Sequence, residues 1–172
     1  MLSLFNNATA LPFTGTAGVI HTPLHPGFSI GTLHYWLERE KVSIYQTFRL
    51  GYFYHRFSQH AVQLYTEPSF RFKIVGGLGL NTRIGAGYLH SWPDTEVFVL
   101  ENGEYRKQTN LGRPQIMGSF SFGPEYDFEA QGLKVFIDYQ FWVQAPFVRQ
   151  YVPVLPNSAI HIGIVYNILR KS

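Results

Sequence analysis

The sequence predicts an all-β fold: a closed antiparallel transmembrane β-barrel of about eight strands, with no helical domain. Three observations predict it. Apolar and polar side chains alternate with a period of two over long runs, as they do on strands with one apolar and one polar face. The connections between these runs alternate between short and long, the habit of barrels with tight turns at one rim and longer loops at the other. Aromatic residues make up 17% of the chain and charged residues only 15%, where a soluble domain carries about 25%. Mean hydropathy is nevertheless −0.06, so the apolar side chains are evenly mixed with polar ones.

Residues 1–10 are read as an N-terminal extension and 11–172 as a single barrel domain. The extension, MLSLFNNATA, has no basic start and no full apolar core. It makes no secretory leader, and a leader is expected to have been removed. Strands are expected near 11–20, 28–37, 42–57, 60–74, 78–91, 113–127, 133–146 and 158–169. The clearest alternation runs through the fourth. Val62, Leu64, Thr66, Pro68, Phe70, Phe72 and Ile74 form one face, and Gln63, Tyr65, Glu67, Ser69, Arg71 and Lys73 the other. In the fifth, Leu80, Thr82, Ile84 and Tyr88 alternate with Asn81, Arg83, Gly85 and Gly87. In the seventh, Val135, Ile137 and Tyr139 alternate with Lys134, Asp138 and Gln140. In the last, Ile160, Ile162 and Ile164 alternate with His161, Gly163 and Val165. Most of these runs exceed the roughly 9–11 residues that carry a tilted strand across a bilayer. Pro68 removes a ladder hydrogen bond in mid-strand, so a bulge is expected there.

Alternation alone does not say which face is inside. Three features place the polar face in the lumen. It is rich in small residues (Gly51, Gly79, Gly85, Gly87, Ser119, Ser121, Gly163), which suits a narrow lumen filled by side chains. The apolar face is bulky and continuous. Tyr35, Trp36, Tyr52, Tyr54, Tyr88 and Trp92 gather near strand ends, where interfacial aromatic girdles lie.

Several classes are excluded. With no Cys, disulfides and thiol chemistry are absent. No run of about 18 apolar residues occurs, so no transmembrane helix is expected. The net charge is only +3 and the basic residues are scattered, so no nucleic-acid partner is expected.

The strand and loop pattern resembles the small outer-membrane barrels of the OmpA, OmpX and OmpW type, and is most similar to the short outer-membrane β-barrel proteins of Bacteroidota. The segment His161-Ile162-Gly163-Ile164-Val165-Tyr166-Asn167-Ile168 resembles the C-terminal signal read by the barrel-assembly machinery, although this chain continues to Leu169-Arg170-Lys171-Ser172. The resemblance implies a bacterial outer-membrane location and contact with outer-membrane lipid (lipopolysaccharide).

Inward-facing Arg49, Arg71, Lys73, Arg83 and Lys134 stand against Glu67, Glu125 and Asp138. Buried charges must be paired, so these residues are expected to form an ion network that closes the lumen; a gated proton or ion path is the alternative. His21, His25, His55, His60 and His90 all fall at the outer ends of strands or in adjacent loops. With Asp94 and Glu96 nearby they are candidate ligands of a divalent metal, set against plain hydrogen-bonded rim histidines. No cofactor is expected.

Outer-membrane lipid A deacylases carry a Ser–His–acid set on a small barrel. Here His55, Ser58 and His60 lie together and Ser91 follows His90, but no G-x-S-x-G elbow occurs. The chain is therefore read as a non-enzyme. The two long connections, 92–112 and 147–157, are the remaining candidates. The second holds Tyr151, Val152, Val154 and Leu155 and is unusually apolar for an exposed loop, which points to an interface. The function expected is an accessory barrel that docks on a larger outer-membrane complex. The other classes kept open are a lipid-modifying hydrolase and a metal or ligand binder at the outer mouth.

Overall fold

The computed structural model describes residues 1–9, 24–56, 58–96, 98–101, 103–107, 111–148 and 151–166. Ten strands are described: β1 (Leu2–Ala8), β2 (Pro26–Glu38), β3 (Val42–His55), β4 (Gln59–Val75), β5 (Leu78–Pro93), β6 (Phe98–Glu101), β7 (Glu104–Lys107), β8 (Arg113–Phe128), β9 (Leu133–Ala145) and β10 (Leu155–Tyr166). Eight of them close into one antiparallel barrel in the order β1-β10-β9-β8-β5-β4-β3-β2. Among the described residues there is no helix.

The first strand differs from expectation. Residues 1–10 are not an extension, because Leu2–Ala8 form β1 and close the barrel between β2 and β10. The reason is visible in the alternation. Leu2 and Leu4 face outward while Ser3, Phe5 and Asn7 are buried. The strand expected at 11–20 lies outside the described residues. The long 92–112 connection folds in part as the β6–β7 hairpin. Leu155 belongs to β10, not to a loop.

Pro68 produces no bulge. The β3–β4 register runs through Gln46↔Pro68 unbroken. The β4–β5 ladder lapses between Thr66↔Ala86 and Ser69↔Arg83 and resumes in the same register. Losing one N–H opens the ladder there without inserting a residue. The register shifts lie near the turn rim instead, at Tyr35/Leu37 and Lys73/Val75.

Short turns after β2, β4 and β8 share one rim with Met1, whose amino group donates to Gly31 O. Gly76, at φ +57°, supplies the left-handed position of the β4–β5 turn. The longer connections share the opposite rim, taken as the outer one.

Burial confirms the inward assignment of the polar face. Leu4, Ile30, Leu64, Ile84, Ile116 and Ile162 are exposed, whereas Arg49, Glu67, Arg83, Glu125 and Asp138 are buried. A water-soluble barrel has the reverse arrangement. An apolar outer band around a closed ladder suits hydrocarbon, where every backbone group must be satisfied internally. The chain folds as a closed antiparallel transmembrane β-barrel.

Candidate functional site

The lumen is filled in layers, and the inward residue of each strand sets the height of its layer. The innermost layer, nearest the short turns, is ionic. Arg71 pairs with Glu125 and, at 3.5 Å, with Asp127. Lys134 reaches the same two carboxylates at 3.4 and 3.7 Å and donates to Tyr35 Oη at 3.3 Å. Tyr35 therefore faces this mouth and does not belong to an outer aromatic girdle. Lys73 stands apart from the network expected of it. It is half-buried at the rim and pairs with exposed Glu129 at 2.6 Å, because the strand ends there and solvent reaches its ammonium. A cavity of about 230 Å³, lined by Tyr35, Glu38, Asp127, Glu129, Gly132, Lys134 and Val165, opens at this mouth.

One layer further out, Arg83 pairs with Asp138, lies 5.1 Å from the Phe136 ring and approaches Tyr45 Oη at 3.5 Å. The Phe136 ring needs space, and Gly163 on β10 supplies it, since a Cβ there would overlap the ring.

The central layer is organised around Glu67. Its carboxylate pairs with Arg49 at 3.4 Å and accepts from Ser119 Oγ, Ser121 Oγ and Gln140 Nε2 at 3.0, 3.3 and 3.2 Å. Arg49 Nη2 also donates to Ser3 Oγ and Ser29 Oγ, both at 2.8 Å. His161 completes this layer. Its Nδ1 lies 3.4 Å from Arg49 Nη2, which only donates, so Nδ1 accepts. Its Nε2 then carries the proton and donates to Gln140 Oε1 at 3.1 Å. The two bonds run one way, from His161 Nε2–H to Gln140 Oε1 and from Gln140 Nε2 to the accepting Glu67 carboxylate.

Above this lies an apolar layer of Phe53, Ala61, Leu89, Met117 and Trp142, all buried. The Trp142 ring meets Phe53 at 5.5 Å and its indole N–H donates to Asn7 Oδ1 at 3.1 Å. The ionic layers thus end under a largely apolar lid.

The rim histidines separate into two groups. His25 and His55 face inward above the lid, their rings stacked at 3.6 Å and 9°. His60 and His90 face outward and flank Trp92, at 5.4 and 4.5 Å. His90 is held by Tyr88 Oη at 2.8 Å and by Leu111 O at 3.0 Å. His21 lies outside the described residues. The five histidines expected to converge as metal ligands therefore do not, and no group of three potential ligands occurs among the described residues. Ser91 Oγ donates to Gln115 Oε1 at 3.0 Å and is buried. The hydrogen bonds of His55 and His90 go to Thr9, Arg56 O, Tyr88 and Leu111 O. No described hydrogen bond joins the hydroxyl of Ser58 or Ser91 to the ring of a rim His.

The outer loop after β9 is the other candidate. Phe147 N donates to Pro153 O, and Val148 pairs with Val152. Arg113 Nη1 donates to Phe147 O at 3.0 Å while its guanidinium lies 5.1 Å from the Phe147 ring. Gln115 Nε2 donates to Pro146 O at 2.9 Å. The base of the loop is thereby tied to β8, and Tyr151, Val152 and Val154 remain exposed at its tip.

No protein-family model and no curated relative matches this chain. Among solved structures it is similar to the crystal structure of the outer membrane enzyme PagL, with a TM-score of 0.51 at 12% identity over 96% of this chain and 99% of that one. The N-terminal β-barrel domain of Pseudomonas aeruginosa OprF gives a TM-score of 0.36 at 13% identity over 95% of each chain. Ail, the attachment invasion locus protein of Yersinia pestis, gives 0.46 at 10% identity over 95% of this chain and 91% of that one. The end-to-end likeness to PagL agrees with the closed outer-membrane barrel fold, and at this identity it speaks of the fold alone.

Arg49, Glu67, Arg71, Arg83, Glu125, Lys134 and Asp138 are all buried in the lumen. Ser3, Tyr45, Asp127, Gln140 and His161 were not singled out. Asp127 and His161 share the parity of Glu125 and Gly163 on their own strands, so the same period-two count reaches them. Ser3 was hidden by reading residues 1–10 as an extension.

Proposed function

We propose that this chain is a bacterial outer-membrane barrel with a structural, non-catalytic role, docking on a protein partner in the same membrane. The observation that carries this reading is the β9–β10 loop. Its base is tied to β8 by bonds from Arg113 and Gln115, and Tyr151, Val152 and Val154 are exposed beyond it. A preorganised apolar surface loses little conformational freedom on binding, and an exposed one marks an interaction site. The filled lumen supports the same reading, since it turns the working surfaces of the chain outward. The lipid-facing wall contacts outer-membrane lipid, including lipopolysaccharide, and the resemblance to short Bacteroidota barrels is in keeping with such a role.

The test is extraction of the outer membrane in mild detergent, followed by mass spectrometry of what travels with the chain. A stoichiometric partner is expected, and it is lost from the variant Tyr151→Ser/Val154→Ser while the barrel itself still folds. A chain that always purifies alone, or a partner retained by the variant, overturns docking through this loop.

A further inference from the structure

The stacked His25–His55 pair has no part in the docking surface, yet its chemistry is specific. His25 Nδ1 lies 3.0 Å from Asn7 O and His55 Nδ1 lies 3.3 Å from Arg56 O. A carbonyl only accepts, so each Nδ1 carries a proton and each Nε2 is the site that a second proton would enter. His55 Nε2 sits 3.4 Å from Thr9 Oγ1, whose hydrogen goes to Asn157 Oδ1 at 3.4 Å. The backbone of His25 is tied as well, its N–H donating to Asn6 Oδ1 at 2.7 Å. Through these two rings the end of β1, the start of β2 and the end of β3 are fastened to one another above Phe53 and Trp142.

We propose that the His25–His55 stack is an acid-sensitive latch at the outer mouth. Neutral rings hold the ends of β1 and β2 against β3 over the apolar lid, and protonation releases them. Two neutral imidazoles at 3.6 Å attract by dispersion. Two imidazolium ions at that separation repel, and with His25 buried the repulsion is weakly screened. His55 is the last residue of β3, where the strand enters its outer turn. Burial lowers its pKa below the ordinary imidazole value, and the His25 ring lowers it further.

Among the described residues, the titratable and charged groups facing His55 are His25, just before β2, and Arg56 from its own turn. Asn7 within β1, Thr9 just beyond it, Asn157 of β10 and Gln59 of β4 present uncharged groups. No carboxylate among these stabilises the imidazolium. A released His55 ring binds a proton more readily than the stacked one. The latch is therefore fully closed above about pH 6.5, the free imidazole value, and weakens as the pH falls below it.

Trp142 reports the state of the latch, because it lies in the lid beneath the stack. In the folded protein carrying Trp36→Phe and Trp92→Phe it is the last of the three tryptophans. Acrylamide quenching of its fluorescence, followed between about pH 8 and pH 5 where imidazole charge changes, is expected to increase on acidification. His55→Phe keeps a ring for the stack but takes no proton, and its quenching is expected to stay flat across the same range. His25→Phe serves as the second variant, and a heat-dependent gel shift verifies that each is folded. A flat profile in the parent, or an unchanged acid response in folded His55→Phe and His25→Phe, overturns the latch. The docking test does not depend on either result.

Discussion

The two ends of the lumen are filled by opposite means. Toward the short turns, Arg49, Arg71, Arg83 and Lys134 interlock with Glu67, Glu125, Asp127 and Asp138. Toward the outer loops, Phe53, Ala61, Leu89, Met117 and Trp142 pack as a small apolar core. Both fill the lumen, but they fail differently. Apolar packing is non-directional, and a change of shape costs what it leaves empty. An ionic layer is stable only while each charge keeps its partner. Loss of one partner is worse than loss of both, because the survivor is left buried and unpaired.

The largest effect should come from separating one of these pairs. Asp138→Leu leaves the Arg83 guanidinium buried against Phe136 and Tyr45, and is expected to cost about 3–5 kcal/mol. Adding Arg83→Met should restore most of that loss. The adjacent substitution Ile137→Leu falls on the exposed apolar wall and should cost less than about 1.5 kcal/mol. Reversible urea unfolding in lipid vesicles reads all three. Equal stability of the Asp138 and Ile137 variants would remove the ionic layer from the account.

This asymmetry explains which parts of the molecule could be read from the sequence. Along β4, period two is enough to put Gln63, Tyr65, Glu67, Ser69 and Arg71 on one face, because each strand has one side in lipid and one in the lumen. The same rule placed Asp138 and Lys134 on β9. It did not distinguish Lys73 from Arg71, since parity gives the face of a strand but not its depth, and depth depends on tilt and on where the turn falls. It also missed β1. Leu2 and Leu4 give only two outward apolar positions before Asn6, too short a run to separate from an extension without its partners Ile162 and Ile30. The division of the rim histidines into an inward pair and an outward pair was equally out of reach. His55 and His60 are close in sequence but face opposite sides of the wall across the tight β3–β4 turn.

The apolar lid provides the counterpart to the ion-pair test. Leu89 is fully buried there, and Leu89→Ala is expected to destabilise by about 2–5 kcal/mol, the range for a buried leucine truncated in a core that relaxes only in part. Leu89→Met keeps the volume and should cost less than about 1.5 kcal/mol. The contrast with the ionic layer lies in rescue. No second deletion should restore Leu89→Ala, whereas Arg83→Met restores Asp138→Leu. A Leu89→Ala variant as stable as the parent would mean that the lid is not packed in the membrane-embedded protein.

The smallest effect belongs to the rim. Lys73 lies two residues beyond Arg71 on β4 and faces the same side, but its side chain is 30% exposed and that of its partner Glu129 is 64% exposed. An ion pair in contact with solvent gains little beyond the entropy it loses in being held. Lys73→Ala should therefore change stability by no more than about 1 kcal/mol, and added salt should erase even that difference. Arg71→Ala, by contrast, leaves Glu125 and Asp127 dependent on Lys134 alone among the ion pairs of that layer. It should cost several times more and resist screening by salt, because Glu125 is buried. Parallel unfolding curves of the two variants at low and high salt measure where the ionic layer ends. If Lys73→Ala matched Arg71→Ala at high salt, the layer would extend to the mouth and Lys73 would belong to it after all.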